Sequence, residues 1–235
     1  MDFFHIDDLT IYRSVYKYIN SNMYILVEED RAFVVDPHED VYAISLLEKV
    51  KNVIILLTHE HTDHTSGIYW FQQKFPSKLI CTKKCSDYIS LEENRRPILI
   101  SFILEEQDRL NGTNLLEEFK KQYVPQTYKA DITFEDSLIE QWGSHKLEFF
   151  KVLGHSPGSC GIIFDNKIAF MGDSLMKDLP IITRFPRGNK KVYINETLPF
   201  LEQKLKEDMM IMPGHGNPFL LSDIMKGGKI NVEFR

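Results

Sequence analysis

The residues best suited to chemistry lie in one short stretch, Thr58 to Gly67, which reads THEHTDHTSG. Three imidazoles, His59, His61 and His64, and two carboxylates, Glu60 and Asp63, crowd into a few consecutive positions. So many ligand-type side chains would repel one another unless a cation gathered them, and a divalent metal ion does that most economically. A lone histidine at a strand end is ordinarily structural. Here the same residue types recur at three later places: His155 in Gly154-His155-Ser156-Pro157-Gly158, Asp173 in Met171-Gly172-Asp173-Ser174, and His215 in Pro213-Gly214-His215-Gly216.

Each place follows an apolar run. Val53 to Leu57, led by β-branched residues, suits a strand buried on both faces, and Leu147 to Leu153, Ala169 to Met171 and Met210 to Met212 precede the other three sites. Four strand ends bearing ligand residues beside Gly or Pro describe one edge of a sheet system that gathers a site.

With its later His, Asp and His, the H-x-H-x-D-H pattern of residues 59–64 resembles the metallo-β-lactamase-fold hydrolases, the superfamily that includes glyoxalase II, lactonases and several nucleases. The matching residues run from Asp36 to His215. By that resemblance His59, His61 and His155 correspond to the ligands of a first metal. Asp63, His64 and His215 correspond to those of a second, and Asp173 bridges both. Asp36 would support the site by a hydrogen bond to a ligand or its loop. The implied fold is an α/β, αββα four-layer sandwich in a single domain over 1–235.

The rest of the chain supplies the elements such a site needs. Thr10 to Asp36 reads as a β-meander, Val41 to Lys51 as a helix leading into the Val53 strand, and Ile68 to Phe75 as the next helix, stopped by Pro76. Lys78 to Thr82 reads as a strand and Lys83 to Leu91 as a helix. From about 92 to 128 the chain turns charged, with helical apolar positions at Leu99, Phe102, Ile103, Leu115, Leu116 and Phe119. This is read as a helical insertion, serving as a lid or substrate wall beside the site, or else as a helical pair that only packs on the sheet or forms a homodimer contact. Strand character returns in Asp131–Phe134, Ser137–Trp142, Lys146–Leu153, Gly161–Phe164 and Lys167–Met171. An irregular stretch, 175–189, gives way to a helix over Val192–Glu207 and a last strand over Met209–Met212.

Composition sets limits. A net charge of -6 disfavours a nucleic-acid surface that works by bulk positive field. The N-terminus lacks the basic-then-apolar pattern of a secretory signal, and no run of 18 apolar residues occurs, so a cytoplasmic protein with a small-molecule substrate and no membrane partner is expected. Cys81, Cys85 and Cys160, an odd count, read as reduced packing residues.

The chemistry the resemblance implies is hydrolysis. Two dications lower the pKa of a shared water from about 15.7 toward about 7, and the bridging hydroxide attacks a carbonyl or phosphoryl centre. The donors suit Zn²⁺, and the carboxylate share also admits Mn²⁺ or Fe. Asp63 is the candidate catalytic proton acceptor. Substrate contacts are expected from Arg184 and Arg187, on the basic loop after Asp173, and from His38, Tyr123 and Tyr128; Phe102 is a further candidate for a pocket wall. His38 reads equally as a solvent-facing loop residue. A small thioester, ester or lactone is the expected substrate, with a phosphodiester as the alternative on the same site. An iron persulfide dioxygenase is disfavoured because His64 and His215 are both present. Met176 stands where lactonases of this fold often carry Tyr. The twenty residues after His215 leave no room for a helical C-terminal domain of the glyoxalase II kind.

Overall fold

The apolar run from Val53 lies, as far as Leu56, in a strand with two parallel neighbours, which is why it needs no polar face. A computed structural model describes residues 1–7 and 9–234, the side chains of 94 and 95 apart. The chain divides into two compact units, one of residues 1–56, 61–80 and 87–131, the other of 57–60, 81–86 and 132–235.

The first unit holds β1 (Asp2–Ile6), β2 (Leu9–Val15), β3 (Asn22–Glu28), β4 (Arg31–Val35), β5 (Asn52–Leu56) and β6 (Ser77–Thr82), side by side in that order. The last two residues of β6 belong to the second unit. β1 to β4 make the expected antiparallel meander, with β1 an edge strand that the sequence did not announce. β4, β5 and β6 run parallel, each pair joined through helical segments.

The helix before β5 is shorter than expected, Val41–Leu46, because within it only Ala43 is buried while Val41, Tyr42 and Ile44 face solvent. Asp40 caps it, accepting from the Tyr42 N–H at 2.8 Å. The stretch after β6 contains helices Ile98–Asn111 and Leu115–Gln122. Asp108 caps the second of these by accepting from the N–H groups of Leu115 and Leu116. Ile100, Leu104 and Phe119 pack against Tyr16 and Tyr18. Leu99 and Phe102, read as packing positions, are exposed instead, because the i,i+4 pair 100 and 104 is the one turned toward those tyrosines.

The second unit holds β7 (Ile132–Phe134), β8 (Ser137–Trp142), β9 (His145–Lys151), β10 (Cys160–Phe164), β11 (Ile168–Gly172), β12 (Met210–Pro213) and β13 (Phe219–Leu220). β8 to β13 lie in the order β13-β12-β11-β10-β9-β8. β11 is buried at every position, between antiparallel β10 and parallel β12. The helix expected over Val192–Glu207 is instead a helical turn, Lys190–Val192, a π-helical turn, Tyr193–Thr197, and an α-helix, Leu198–Lys204. Leu201 and Leu205 join Phe150, Val152, Met171 and Ile211 in this unit's core. Cys81, Cys85 and Cys160 are buried and outside any disulfide. Among the described residues, no helix is long and apolar enough to cross a membrane.

Candidate metal centre

Parallel strands end at the same edge of a sheet, and in each unit that rule collects part of the donor set. In the first unit β4 is followed at once by Asp36, whose N–H donates to Leu56 O at 2.9 Å at the end of β5. Asp36 has φ +52°, a left-handed conformation that Asp tolerates better than most residues. Its Oδ2 lies 3.0 Å from Nδ1 of the fully buried His64, and His64 Nε2 lies 3.0 Å from Asp63 Oδ2. The Asp36 carboxylate thus fixes the ring so that Nε2 looks toward Asp63. His61 is the N-cap of the short helix Thr62–Thr65, and its carbonyl accepts from the His64 N–H at 3.0 Å, which sets the spacing of these three residues.

In the second unit β9, β11 and β12 all run the same way, so His155, Asp173 and His215 emerge together. The Gly214 N–H donates to Gly172 O at 2.8 Å, tying the last two turns side by side. His155 donates from Nδ1 to Ile182 O at 2.7 Å, and His59 Nδ1 is hydrogen-bonded to Thr58 Oγ1 at 3.1 Å. In both rings Nδ1 is engaged by the protein, so Nε2 is the nitrogen that would face an ion. The two imidazoles meet edge to face, centroids 4.9 Å apart.

One distance pair tests whether a cation fits here. His155 Nε2 and His215 Nε2 each lie 3.6 Å from the same atom, Asp173 Oδ2. That is too long for a hydrogen bond. It is close to the roughly 3.3 Å between two donors that each sit about 2.0–2.1 Å from a tetrahedral ion. Residues assigned by resemblance to different metals flank one carboxylate oxygen, as a bridging ligand requires, and the donor chemistry fits.

The supports are tight. Gly172, at φ +50°, sits where a Cβ would lie 2.3 Å from Thr58 Oγ1, so the Asp173 turn can press onto the base of His59 only without a side chain. Tyr193, wholly buried, donates its hydroxyl to Ser174 O and lays its ring on Gly154. Thr197 Oγ1 donates to Leu153 O at 2.7 Å. Both side chains come from the π-helical turn, whose extra residue per turn lets one short segment grip the turns that carry His155 and Asp173. Glu60, counted with the donors by sequence, turns elsewhere: its Oε2 accepts from Ser156 Oγ at 2.9 Å, and burial raises its carboxyl above the usual range.

The expected substrate contacts are spread out. Arg184 and Arg187 are exposed on the loop after Asp173, Arg187 with φ +75°. Phe102 is two-thirds exposed. Tyr128 is half-buried, its N–H donating to Ile89 O at 2.9 Å, and burial pushes its phenol up.

His38 is not the solvent-facing residue that its loop suggested; it is 2% exposed, stacked on Tyr16 with centroids 5.0 Å apart. It lines, with Tyr16, Lys17, Trp70 and Tyr123, a cavity of about 520 Å³ in the first unit. Ser14 Oγ donates to the Asp40 carboxylate and lies 2.9 Å from His38 Nε2. With the hydroxyl proton committed to Asp40, His38 donates to Ser14, so the trio is no nucleophile relay, in which the imidazole would take that proton.

Burial lowers the His38 pKa from 6.5 to about 4. The unfolded chain therefore binds the extra proton between about pH 6.5 and 4 while the folded chain does not, so this stability is present above pH 6.5 and lost on acidification. Its size is about 3 kcal/mol at pH 4. Denaturant unfolding at a series of pH values checks it: wild type should weaken faster than His38→Gln on going from pH 7 to 5, and parallel curves would refute the assignment.

Comparison with known proteins agrees with the geometry. The model of the metallo-β-lactamase superfamily matches residues 17–215. The hydroxyacylglutathione hydrolase GloC of Haemophilus influenzae is 26% identical over 212 residues, covering 83% of this chain and 90% of the relative. The probable metallo-hydrolase YqgX of Bacillus subtilis is 26% identical over 217 residues, covering 86% and 93%. Among solved structures, the B3 metallo-β-lactamase BLEG-1 superposes with a TM-score of 0.65 at 22% identity, over 89% of this chain and 93% of that one. A di-iron-bound form of TTHA1623 gives 0.65 at 18%, over 90% and 95%. With its donor residues at the strand ends and its match spanning residues 17–215, the chain belongs to the metallo-β-lactamase superfamily and is a metal-dependent hydrolase.

Proposed function

We propose that this hydrolase holds two metal ions, zinc by its donor set, and cleaves a small thioester, with an ester or lactone as the next class. The observation that carries the dinuclear reading is Asp173 Oδ2, equidistant at 3.6 Å from His155 Nε2 and His215 Nε2. His59, His61 and His155 would hold one ion and Asp63, His64 and His215 the other. When bound, the ions supply an acidified water and an electrophile for the carbonyl oxygen. Asp36 and the Ile182 carbonyl keep His64 and His155 in the tautomer that offers Nε2. Asp63 would accept a proton from the attacking water. Arg184 and Arg187 would hold an anionic part of the substrate by charge-assisted hydrogen bonds, and His38, Tyr123 and Tyr128 are candidate contacts on the first unit.

The thioester choice is supported by relatives named hydroxyacylglutathione hydrolases; that of Glaesserella parasuis is 40% identical over 155 residues, 65% of this chain and 49% of the relative. Metal analysis of protein purified without chelator, together with a panel of thioesters, lactones and phosphodiesters, tests the reading. Two zinc ions per chain, thioester turnover, and loss of that turnover in chelator with recovery on adding Zn²⁺ are expected. Turnover of bis(p-nitrophenyl) phosphate alone would move the substrate to the phosphodiester class. One iron per chain with oxygen uptake on a persulfide would replace hydrolysis with dioxygenation; ETHE1 of Myxococcus xanthus superposes with a TM-score of 0.63 at 14% identity, a likeness of fold alone.

A further inference from the structure

Glu60 stands between two donor histidines in sequence, and its carboxylate reaches the residue that follows a third. Oε2 accepts from Ser156 Oγ at 2.9 Å. Ser156 Oγ is in turn 2.8 Å from Ser159 Oγ, and Ser159 Oγ accepts from the Ser156 N–H at 3.2 Å. The turn is closed from another side by Thr82, whose Oγ1 donates to Gly158 O at 2.8 Å while accepting from the Cys85 N–H at 3.0 Å. A Cβ on Gly158 would lie 2.3 Å from Glu60 Oε2 and 2.7 Å from Cys85 Cα and N. The turn that carries His155 therefore rests directly on the Glu60 carboxylate, with no room for an intervening side chain.

We propose that Glu60 is a positioning residue for one metal only: through Ser156 it locks His155 to the segment that carries His59 and His61. The inference rests on the dinuclear reading above and deepens it. Glu60 donates no electron pair to the ion. It fixes the spacing of three imidazoles that come from two distant parts of the chain, and nothing in its contacts reaches Asp63, His64 or His215. Removing it should therefore loosen one ion and spare the other.

The test titrates metal-free protein with Zn²⁺ in competition with a chromophoric chelator, resolving two binding steps, and follows thermal unfolding of the metal-free chain alongside. Glu60→Ala should weaken one step by about 10- to 100-fold and leave the other within about threefold. Glu60→Gln should stay near wild type, since its amide oxygen still accepts from Ser156. Ser156→Ala should weaken the same step by no more than Glu60→Ala, which also loses the hydrogen bond from the Gly158 backbone, and the double variant should be no worse than Glu60→Ala, because the Ser156 link is already gone there.

Unchanged binding in Glu60→Ala, or equal weakening of both steps with a matching fall in the melting temperature of the metal-free chain, would overturn the proposal. Should Glu60→Ala fail to fold, the contrast between Glu60→Gln and Ser156→Ala decides it: one step weakened only in Ser156→Ala supports it, and identical behaviour overturns it. A wild-type chain that takes up no metal would overturn both this inference and the functional reading beneath it, and is told apart by the wild-type titration alone.

Discussion

Replacing Asp173 with Ala should cost the protein both metal-binding steps of the proposed dinuclear site and lower kcat/KM on whichever ester or thioester it turns over by about 10³-fold or more, equivalent to about 4 kcal/mol of transition-state stabilisation. The size follows from position. On the proposed dinuclear reading a terminal ligand such as His215 would serve one ion, whereas Asp173 Oδ2 faces His155 Nε2 and His215 Nε2 at the same 3.6 Å. Without it, two sets of imidazoles remain with no shared anion to offset the repulsion between two dications. Asp173→Asn separates charge from shape, because it keeps an oxygen but loses the negative charge, and it should retain at most one ion. Metal content by plasma emission and steady-state turnover read both effects. An Asp173→Ala protein that still carries two ions, or turns over within tenfold of wild type, would remove the bridging assignment.

The largest stability effect is expected from Gly154→Ala. Gly154 has φ +119°, a region that side-chain-bearing residues scarcely enter, and an added Cβ would lie 2.5 Å from Tyr193 Cβ and 3.0 Å from its Cα. Neither atom is the movable end of a side chain. Backbone strain of about 1–3 kcal/mol and overpacking of about 1–3 kcal/mol fall on one turn, so about 3 kcal/mol or more should be lost. For a chain of this length that lowers the melting temperature by roughly 10 °C. Gly112→Ala is the control: its φ is +66° but no atom lies within 4 Å of the added carbon, so it should cost only about 1 kcal/mol. Equal losses in the two variants, measured by denaturant unfolding of the metal-free proteins, would show that the contact with Tyr193 carries no weight.

Much of this protein could be read directly from its residues. The ligand stretch 59–64 and the recurrences at 155, 173 and 215 were visible because donors at strand ends need apolar runs before them and glycines beside them, and both are local in sequence. The strands were legible for the same reason: β5 and β11 are continuous apolar runs because neighbours pair on both sides. The family resemblance rested on these positions, and the match over residues 17–215 bears it out.

What the residues could not show is where side chains turn once the backbone is fixed. Glu60 looked like another donor, and only its contact with Ser156, far along the chain, shows that it holds a turn in place. His38 looked like a loop residue, and only its burial beside Tyr16 and Ser14 makes it a neutral imidazole. The π-helical turn at Tyr193–Thr197 was read as plain helix, because nothing in its apolar spacing encodes an extra residue per turn. Helical character over about 92–128 was read from the sequence, but the buried face of the helix over 98–111 was chosen by the tyrosines it meets. Composition and spacing determined which chemistry this chain can do, since donor atoms and strand-forming runs are properties of short segments. Tertiary structure alone decided which residue supports which donor, because those pairings join positions up to a hundred residues apart and depend on free space that no local pattern records.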